Sequence, residues 1–242
     1  MNRRERVLTV AVCAVAIAIP AAAQVQETLW EYRRNQALQL YNQGRYDEAV
    51  RVGQEAVKVA EKTFGSEHPN VMKSLGELAL FCRTQKKYEE AERIYSRLLK
   101  MKERALGPYD ARVGVVLQDL AGVLQAQGRY DEAEPLYLRA LNITERAFET
   151  NETEHLARLA QLADFYDAQG RDAEAETSYR RALDLIDNKF GPERPDALKL
   201  QERYAKCLRK LGRDEAAAAL EAKTRKARSE REARRLPEKP KP

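Results

Sequence analysis

The sequence contains little of what metal centres, disulfide scaffolds and membrane bundles require. Its 242 residues include 2 His and 3 Cys, too few for a multi-ligand zinc site or a disulfide framework. No uncharged apolar run reaches the ~20 residues of a membrane-spanning helix. Hydrophobic residues make up 43% of the chain and charged residues 33%, which excludes wholesale disorder because such a chain can bury a core. This composition favours a helical binding protein.

Residues 1–23 have the three-part pattern of a cleavable secretory signal. A start with three arginines precedes the uncharged apolar run 7–19, and Pro20 and three alanines follow. The alanines predict cleavage before Gln24. An uncleaved membrane anchor is the alternative, although the run is shorter than a spanning helix. Because the pattern resembles a bacterial export signal, we expect a periplasmic or secreted protein.

Cleavage would leave two cysteines, Cys82 and Cys207. The helical repeats described below place several helices between them, and packed helices are roughly 8–10 Å apart. A disulfide requires Cα atoms within about 7 Å of each other. The sequence therefore predicts two buried free thiols and no bridge.

The chain repeats itself every 42 residues. A turn column holds Gly44, Lys86, Gly128, Gly170 and Gly212, and the next column is basic in every copy: Arg45, Lys87, Arg129, Arg171 and Arg213. One alanine column contains Ala37, Ala79, Ala121, Ala163 and Ala205, and the other contains Ala49, Ala91, Ala133, Ala175 and Ala217. The alanines predict positions where two helices cross too closely for a larger side chain.

Within one copy the apolar residues follow helical spacing. Positions i, i+3, i+4 and i+7 of the second copy are occupied by Leu75, Leu78, Ala79 and Cys82, one stripe of a helix. After the turn column a second helix follows with the same period. Short polar connections with turn residues join the copies, for example at 64–70, 106–110 and 190–196. Each copy is therefore predicted to be an antiparallel helix pair, with a first helix (A) and a second helix (B).

These columns resemble the tetratricopeptide repeat in the 42-residue form of kinesin light chain. Residues 128–141, GRYDEAEPLYLRAL, carry the likeness most fully, including the early B-helix proline Pro135. The resemblance implies an all-α fold, a right-handed α-α superhelical solenoid of about five helix pairs. It also implies that the A helices line a concave face that holds a peptide or a partner helix.

The predicted organisation is a signal at 1–23, a repeat domain at 24–225, and a basic helical extension with a disordered tail at 226–242. The repeats are expected at about 25–65, 68–107, 110–149, 152–191 and 194–225. Two copies depart from the pattern. Gly53 replaces a tyrosine and should loosen the first pair, whereas Glu221, Thr224 and Arg225 should give the last B helix a polar outer face.

Positive charge is concentrated at the ends of the chain. Residues 223–242 carry nine Lys or Arg and three Glu, whereas residues 24–222 have a net charge of −3. Residues 214–235 are predicted to be helical. The basic end could attach to an anionic membrane surface or simply be a solubilising extension of the last helix. Nucleic-acid binding is not expected, because aromatic residues do not interleave with the basic ones.

No pattern of catalytic or metal-ligating residues is assembled. His68 and His155 each follow a glutamate in a predicted inter-repeat connection and are expected to be solvated, and neither has metal-ligand spacing. The cysteines fall in core columns and are expected to fill space. The sequence therefore predicts no enzyme, no cofactor and no metal site.

The repeat register assigns candidate partner-binding residues to the concave A-helix face. In the first two copies they are Arg34, Tyr41, Lys73, Glu77 and Arg83. In the later copies they are Gln118, Gln125, Asp164, Asp167, Lys206 and Arg209. Kinesin light chain repeats place asparagines in one column of this face, where this chain has Asn35, Glu77, Asp119, Gln161 and Arg203. Because of this departure, the cargo preference of that family is not carried over, and ordinary solvated helix surface is the alternative.

The expected function is that of an exported, non-enzymatic scaffold that binds another envelope protein or peptide through the concave face. The alternative is an assembly or anchoring subunit that attaches to an anionic membrane surface through its basic C-terminal tail. The sequence does not identify the protein partner in either case.

Overall fold

The computed structural model describes residues 21–146, 152–190 and 195–235. Every regular element in these ranges is helical. The α-helices are α1 (Ala21–Asn42), α2 (Tyr46–Phe64), α3 (Pro69–Thr84), α4 (Tyr88–Leu106), α5 (Ala111–Ala126), α6 (Tyr130–Arg146), α7 (Glu152–Ala168), α8 (Asp172–Leu185), α9 (Pro195–Lys210) and α10 (Asp214–Arg235). A short π-helical segment, Ile186–Phe190, continues α8. The predicted all-α class and the repeated helix pairs are confirmed for this part of the chain.

Most of the predicted signal and the end of the tail, residues 1–20 and 236–242, lie outside the described residues. The predicted helix over 214–235 is observed as α10. Within the described ranges, no helix has both the length and the apolar character that crossing a bilayer requires.

The described residues divide into two compact units, one of residues 21–108 with 122–129 and the other of 109–121 with 130–146, 152–190 and 195–235. In the first unit α1 packs on α2 and α3 packs on α4. In the second unit α7 packs on α8 and α9 packs on α10, while α6 packs on α7. The odd-numbered helices are therefore the A helices of the repeats, and the even-numbered helices are the B helices.

The turn inside each pair explains two of the sequence columns. In the first copy the Gly44 amide donates to the Tyr41 carbonyl (3.0 Å) and the Arg45 amide donates to the Leu40 carbonyl (2.9 Å), which is the Schellman pattern that ends many helices. Gly44 has a φ of 75°, a conformation that costs glycine little because it has no Cβ. Lys86 adopts the same turn with a φ of 60°, so the column tolerates a side chain at some conformational cost.

Both alanine columns are buried in every copy, with exposed fractions of at most 2%. A larger side chain at such a buried position would have to displace its neighbours, because protein interiors are packed as densely as organic crystals. The structure thus supports the prediction that the alanines mark close contacts between helices.

The column that contains Gly53 shows how one copy compensates for a missing ring. Its tyrosines in the next copies are buried, with Tyr95 at 2% and Tyr179 at 1% exposed. The prediction that Gly53 loosens the first pair is wrong, because a Cβ built there would lie 3.2 Å from Leu78 Cδ1 and 3.3 Å from Phe81 Cδ2. Leu78 and Phe81 already occupy the space next to this glycine.

The last helix pair also corrects the sequence interpretation. Arg225 is exposed, as expected for a polar outer face. Thr224, by contrast, is only 4% exposed, and its hydroxyl donates to Oε1 of Gln201, which is 1% exposed. Thr224 therefore belongs to the contact between α10 and α9 rather than to the outer surface.

Candidate functional site

The candidate residues of the first unit include a polar contact between successive A helices. Arg34 on α1 donates through Nε (2.9 Å) and Nη2 (2.5 Å) to Oε1 of Glu77 on α3. Seven residues further along both helices, the Tyr41 hydroxyl lies 3.1 Å from Thr84 Oγ1. The ring of Tyr41 stacks on Phe81, with 4.9 Å between centroids. These contacts hold the Arg34, Glu77 and Tyr41 side chains in fixed positions on the surface of the A helices.

The other candidates of the first unit also lie on A helices and differ in exposure. Lys73 on α3 is exposed, whereas Arg83 on α3 and Gln125 on α5 are half-buried. The repeat register correctly assigned all three to A helices.

In the second unit, Asp164 is the centre of a small network. Its carboxylate accepts a hydrogen bond from the Tyr179 hydroxyl on α8 (2.9 Å) and forms an ion pair with Nη1 of Arg203 on α9. Burial raises the pKa of Asp164, while Arg203 acts in the opposite direction. One turn along α7, Asp167 accepts from Lys210 Nζ on α9 (2.7 Å). Helices α7 and α9 are thus joined by two charged contacts.

The remaining candidates of the second unit lie on α5 and α9. Gln118 is half-buried and Lys206 is exposed. Arg209 turns toward α10, where Nη2 lies 2.9 Å from Oε2 of Glu221. A partner that binds the Arg209 guanidinium would therefore compete with Glu221 for it.

A second set of contacts was missed by sequence reasoning. In three copies the basic residue after the turn column forms an ion pair with a glutamate 37 residues earlier, on the preceding B helix. The N–O distances are 2.6 Å for Arg129–Glu92, 2.5 Å for Arg171–Glu134 and 2.5 Å for Arg213–Glu176. The pair with Arg171 lowers the pKa of Glu134. The recurrence of glutamate at these three positions was the available signal, but only the stacking of repeats shows that the two columns meet.

The prediction of solvated loop histidines is wrong for His155 and only partly right for His68. His155 lies inside α7, is 6% exposed, and places Nδ1 3.1 Å from Thr144 Oγ1. Burial lowers its pKa. His68 precedes α3, accepts the amide hydrogen of Asn70 at Nδ1 (3.1 Å) and stacks on the ring of Phe64. His155 is therefore buried between α6 and α7, whereas His68 lies in an inter-repeat connection, as predicted, and is half-buried there.

One cluster has ligand types that could hold a metal. Side-chain atoms of Asp167, Asp172 and Cys207 lie within 4.8 Å of one another. Lys210 Nζ already approaches both carboxylates, at 2.7 Å and 3.6 Å, and burial raises the pKa of the Cys207 thiol to about 11. The ammonium group neutralises the carboxylates and the thiol is protonated at neutral pH, so the arrangement favours lysine over a metal ion as the counter-charge.

Polar atoms without a protein partner are concentrated on two A helices of the second unit. Among the described residues, such buried side-chain atoms include Glu154 Oε2, Arg158 Nε and Gln161 Oε1 on α7 and Arg203 Nε on α9. Arg158 is only 7% exposed, and burial lowers its pKa. Because buried polar groups are nearly always hydrogen-bonded, these atoms mark α7 and α9 as helices with unused hydrogen-bonding capacity.

The tetratricopeptide repeat family model matches four overlapping segments of the chain, residues 27–104, 72–146, 112–185 and 154–230. The chain belongs to the tetratricopeptide repeat family. Members of this family are generally non-enzymatic scaffolds for protein–protein interaction. No curated protein sequence matches the chain.

Solved structures of similar proteins confirm the fold. TPR-like repeats of a Podosopora anserina protein described as a kinesin light chain superpose with a TM-score of 0.74 at 22% identity, covering 84% of this chain and 96% of that one. BtubC (BKLC) from P. vanneervenii gives a TM-score of 0.75 at 17% identity, covering 100% and 96%. MamA from Desulfovibrio magneticus RS-1 gives 0.60 at 15% identity, covering 83% and 96%. At these identities the likeness concerns the repeat solenoid fold alone.

Proposed function

We propose that this tetratricopeptide repeat protein is an exported, non-enzymatic adaptor that binds a segment of another envelope protein along its A helices. The observation that carries the proposal is the set of unpartnered polar atoms on α7 and α9, which include Gln161 Oε1 and Arg203 Nε. These atoms are enclosed in the free protein, and leaving them unpaired is costly. A bound segment that opens this part of the A-helix surface would supply the missing donors and acceptors. The A-helix side is therefore favoured over the B-helix side as the binding surface.

The charged contacts between A helices also support this surface. Arg34–Glu77 in the first unit and Asp164–Arg203 in the second fix the orientation of side chains before any partner arrives. A preorganised surface binds more tightly because less side-chain entropy is lost on association. Exposed Lys73 and Lys206 flank these contacts and are available to a partner.

The non-enzymatic part of the proposal draws on two residues that could otherwise act in catalysis. Cys82 is fully buried, and this burial raises the pKa of its thiol to about 12. A protonated, inaccessible thiol is a poor nucleophile. His155 has its Nδ1 next to the buried hydroxyl of Thr144 and is equally inaccessible to a substrate.

Site-specific photo-crosslinking in intact cells tests the binding surface. A photoreactive residue placed at Lys73 or Lys206, both exposed on A helices, should give a discrete crosslinked product. The matched controls are Leu138 and Arg180, which are exposed on B helices, and these should give none. Products from the B-helix positions alone would reject the A-helix surface.

The exported location has its own test. Cell fractionation followed by mass spectrometry of the intact protein should find the mature chain outside the cytoplasm, beginning at Gln24. A full-length chain that retains residues 1–23 and sediments with membranes would show that this segment is an uncleaved membrane anchor. A cytoplasmic full-length chain would reject export.

The basic character of α10 supports a second candidate function, attachment to an anionic membrane surface. Arg225 is exposed on this helix. Lys223, however, forms an ion pair with Asp187 (2.9 Å), and Arg228 forms one with Glu202. Part of the positive charge is therefore neutralised within the repeat.

Truncation would be a poor test of this candidate because it removes the buried Thr224. Substituting Arg225→Gln and Lys226→Gln instead lowers the charge and leaves the buried face of α10 intact. Sedimentation with phosphatidylglycerol vesicles should then decrease relative to the parent chain, and phosphatidylcholine vesicles should bind neither protein. Equal sedimentation of both proteins would reject a role for this helix.

A further inference from the structure

An apolar groove lies between the B helices α2 and α4 of the first unit. Its volume is about 370 Å³, and it is lined by Leu75 and Leu78 of the A helix α3, which are both buried. Val57 of α2 and Ile94 of α4 add further apolar surface. The B-helix side of this unit therefore offers a continuous apolar lining between two helices.

A stripe of basic side chains on α4 follows this groove. Arg93 and Arg97 line the apolar groove and also a second groove of about 430 Å³, which Lys100 and Arg104 line as well. The two grooves therefore adjoin at the two arginines. The four basic residues have the spacing i, i+4, i+7 and i+11, which places them on one face of α4 over about 16 Å.

This basic stripe is specific to the second copy. In every other copy at least one of the four equivalent positions is not basic. The differing residues include Glu55 in the first copy, Pro135 and Asn142 in the third, Thr177 and Asp184 in the fourth, and Ala219 in the fifth. The repeat fold therefore does not require four basic residues at these positions.

The carboxylates that line the two grooves already have partners, whereas several cations do not. The contacts of the four carboxylates are Arg97–Glu61 at 2.6 Å, Arg104–Glu67 at 2.9 Å, Arg129–Glu92 at 2.6 Å and Gln54–Glu90 at 2.8 Å. Lys58, Arg93 and Lys100 also line the grooves and are exposed. Within the described part of the chain none of these three forms an ion pair. Positive charge beside the apolar lining is therefore left for acidic groups of a partner.

We infer that these two grooves dock an amphipathic helix of a partner protein, with acidic residues beside its apolar face. Two helices that lie side by side have the same rise per turn. Carboxylates at i, i+4 and i+7 of the partner helix therefore stay opposite Arg93, Arg97 and Lys100, as charged residues do along the edges of paired helices. The apolar face of the partner helix covers the groove between Val57 and Ile94.

Other occupants match only part of this surface. The basic end of the chain itself does not match, because residues 223–242 carry nine Lys or Arg and three Glu. An anionic polymer such as polyphosphate would contact the basic stripe but would leave Leu75, Leu78 and Ile94 uncovered. A helix that carries both acidic and apolar residues satisfies both parts, in the helix-in-groove mode of recognition.

The test measures the binding of three synthetic helical peptides and of polyphosphate by titration calorimetry. The first peptide has leucines on one face and glutamates beside them. The second replaces the leucines by alanine, which preserves the helix, and the third replaces the glutamates by lysine. Each probe is titrated into the parent protein and into two variants whose folding is checked by a thermal melt.

The groove variant combines Arg93→Gln with Lys100→Gln and removes two exposed cations of the basic stripe. The matched control combines Arg51→Gln with Lys62→Gln. These two residues are exposed on α2 and line neither groove. The control therefore makes the same change in net charge on a neighbouring helix.

The peptide with leucine and glutamate should bind the parent, and its affinity should fall about tenfold in the groove variant, because two charge pairs are lost. In the control its affinity should change by less than about threefold, since charges that do not contact the peptide are screened by salt. The alanine peptide should bind about tenfold or more weakly than the leucine peptide, because apolar burial is lost. The lysine peptide should not bind.

Several results would overturn the inference. These are no binding of the leucine and glutamate peptide, equal affinity for the parent and the groove variant, equal affinity of the alanine and leucine peptides, and binding of the lysine peptide. Polyphosphate that binds the parent as tightly as the leucine and glutamate peptide would instead identify a site for polyanions and would reject the helix.

This B-helix surface goes beyond the proposed function, which concerns the A helices. The crosslinking controls Leu138 and Arg180 lie on B helices of the second unit, so their outcome does not depend on the grooves of the first unit. Crosslinks at Lys73 and Lys206 without peptide binding in the grooves would leave the adaptor function and reject the helix site. Peptide binding that depends on Arg93 and Lys100, without those crosslinks, would do the reverse.

Discussion

The buried contact between Thr224 and Gln201 allows a sharp test of how the last helix pair is held together. The Thr224 hydroxyl lies 2.9 Å from Gln201 Oε1, and both residues are almost completely buried. In the preceding copies the position of Gln201 is leucine, at Leu117 and Leu159. The last pair has therefore replaced an apolar contact by a hydrogen bond.

Thr224→Val should destabilise the protein by about 1–3 kcal/mol, because it keeps the side-chain shape but leaves the buried Gln201 amide without its donor. This corresponds to a decrease in Tm of about 2–4 °C per kcal/mol for a chain of this size. Adding Gln201→Leu to Thr224→Val should restore most of the loss, since replacing both partners by apolar groups can be nearly neutral. Gln201→Leu alone should cost little, because the Thr224 hydroxyl can donate to the Leu220 carbonyl at 2.8 Å.

Thermal and urea unfolding followed by circular dichroism would measure these differences, and hydrogen exchange would show whether the loss is local to α10. Thr177→Val is the matched control, because the Thr177 hydroxyl is exposed and bonds only to the carbonyl of Ala173 four residues earlier (3.0 Å). It should change the free energy of unfolding by less than about 0.5 kcal/mol. A Thr224→Val protein as stable as the parent, or a double variant less stable than the single one, would refute the reasoning.

Three further predictions concern the core and its titratable groups. Ala91→Leu should destabilise by about 1–3 kcal/mol, because it overpacks a fully buried contact; an unchanged thermal melt would contradict the role of the alanine columns. The free energy of unfolding should decrease as pH falls below about 6.5, by up to about 1.4 kcal/mol per pH unit, because the unfolded chain binds a proton that buried His155 resists. Nearby Glu145 raises the pKa of His155 and nearby Arg181 lowers it. His155→Gln should flatten the pH profile in that range. A thiol reagent at neutral pH should label Cys82 and Cys207 slowly in the native protein and rapidly in denaturant, because both thiols are buried, free and raised in pKa; a chain with no reactive thiol after denaturation would contradict this.

Much of the fold could be predicted because a repeat records the same packing requirement several times. The alanine columns, the turn column and the helical spacing each recur in every copy, so a position such as Ala91 is supported by its equivalents. The burial and separation of Cys82 and Cys207 followed from the same register and are confirmed. Errors occurred where one copy departs from the others, as at Gly53 and Thr224, because the columns no longer indicate what fills the space.

The candidate surface was only partly predictable. The register assigned residues such as Arg34 and Asp164 to A helices, but it did not show that they pair with Glu77 and Arg203 of the next A helix. Such contacts depend on the offset between stacked repeats, which a sequence period does not contain. The small cavity that Ala157, Ala160 and Leu200 line between α7 and α9 could not be predicted for the same reason, because it forms only when two helices lie side by side.

The sequence by itself determined the class of fold, the number of helix pairs and the residues at the closest helix contacts, because helical periodicity and the size of alanine act locally and are repeated. The tertiary structure alone decided which charged residues meet between repeats, that His155 and Thr224 are buried, and where space remains between α7 and α9. These features depend on how one repeat rests on the next, and that geometry results from all the contacts of the interface together rather than from any single column.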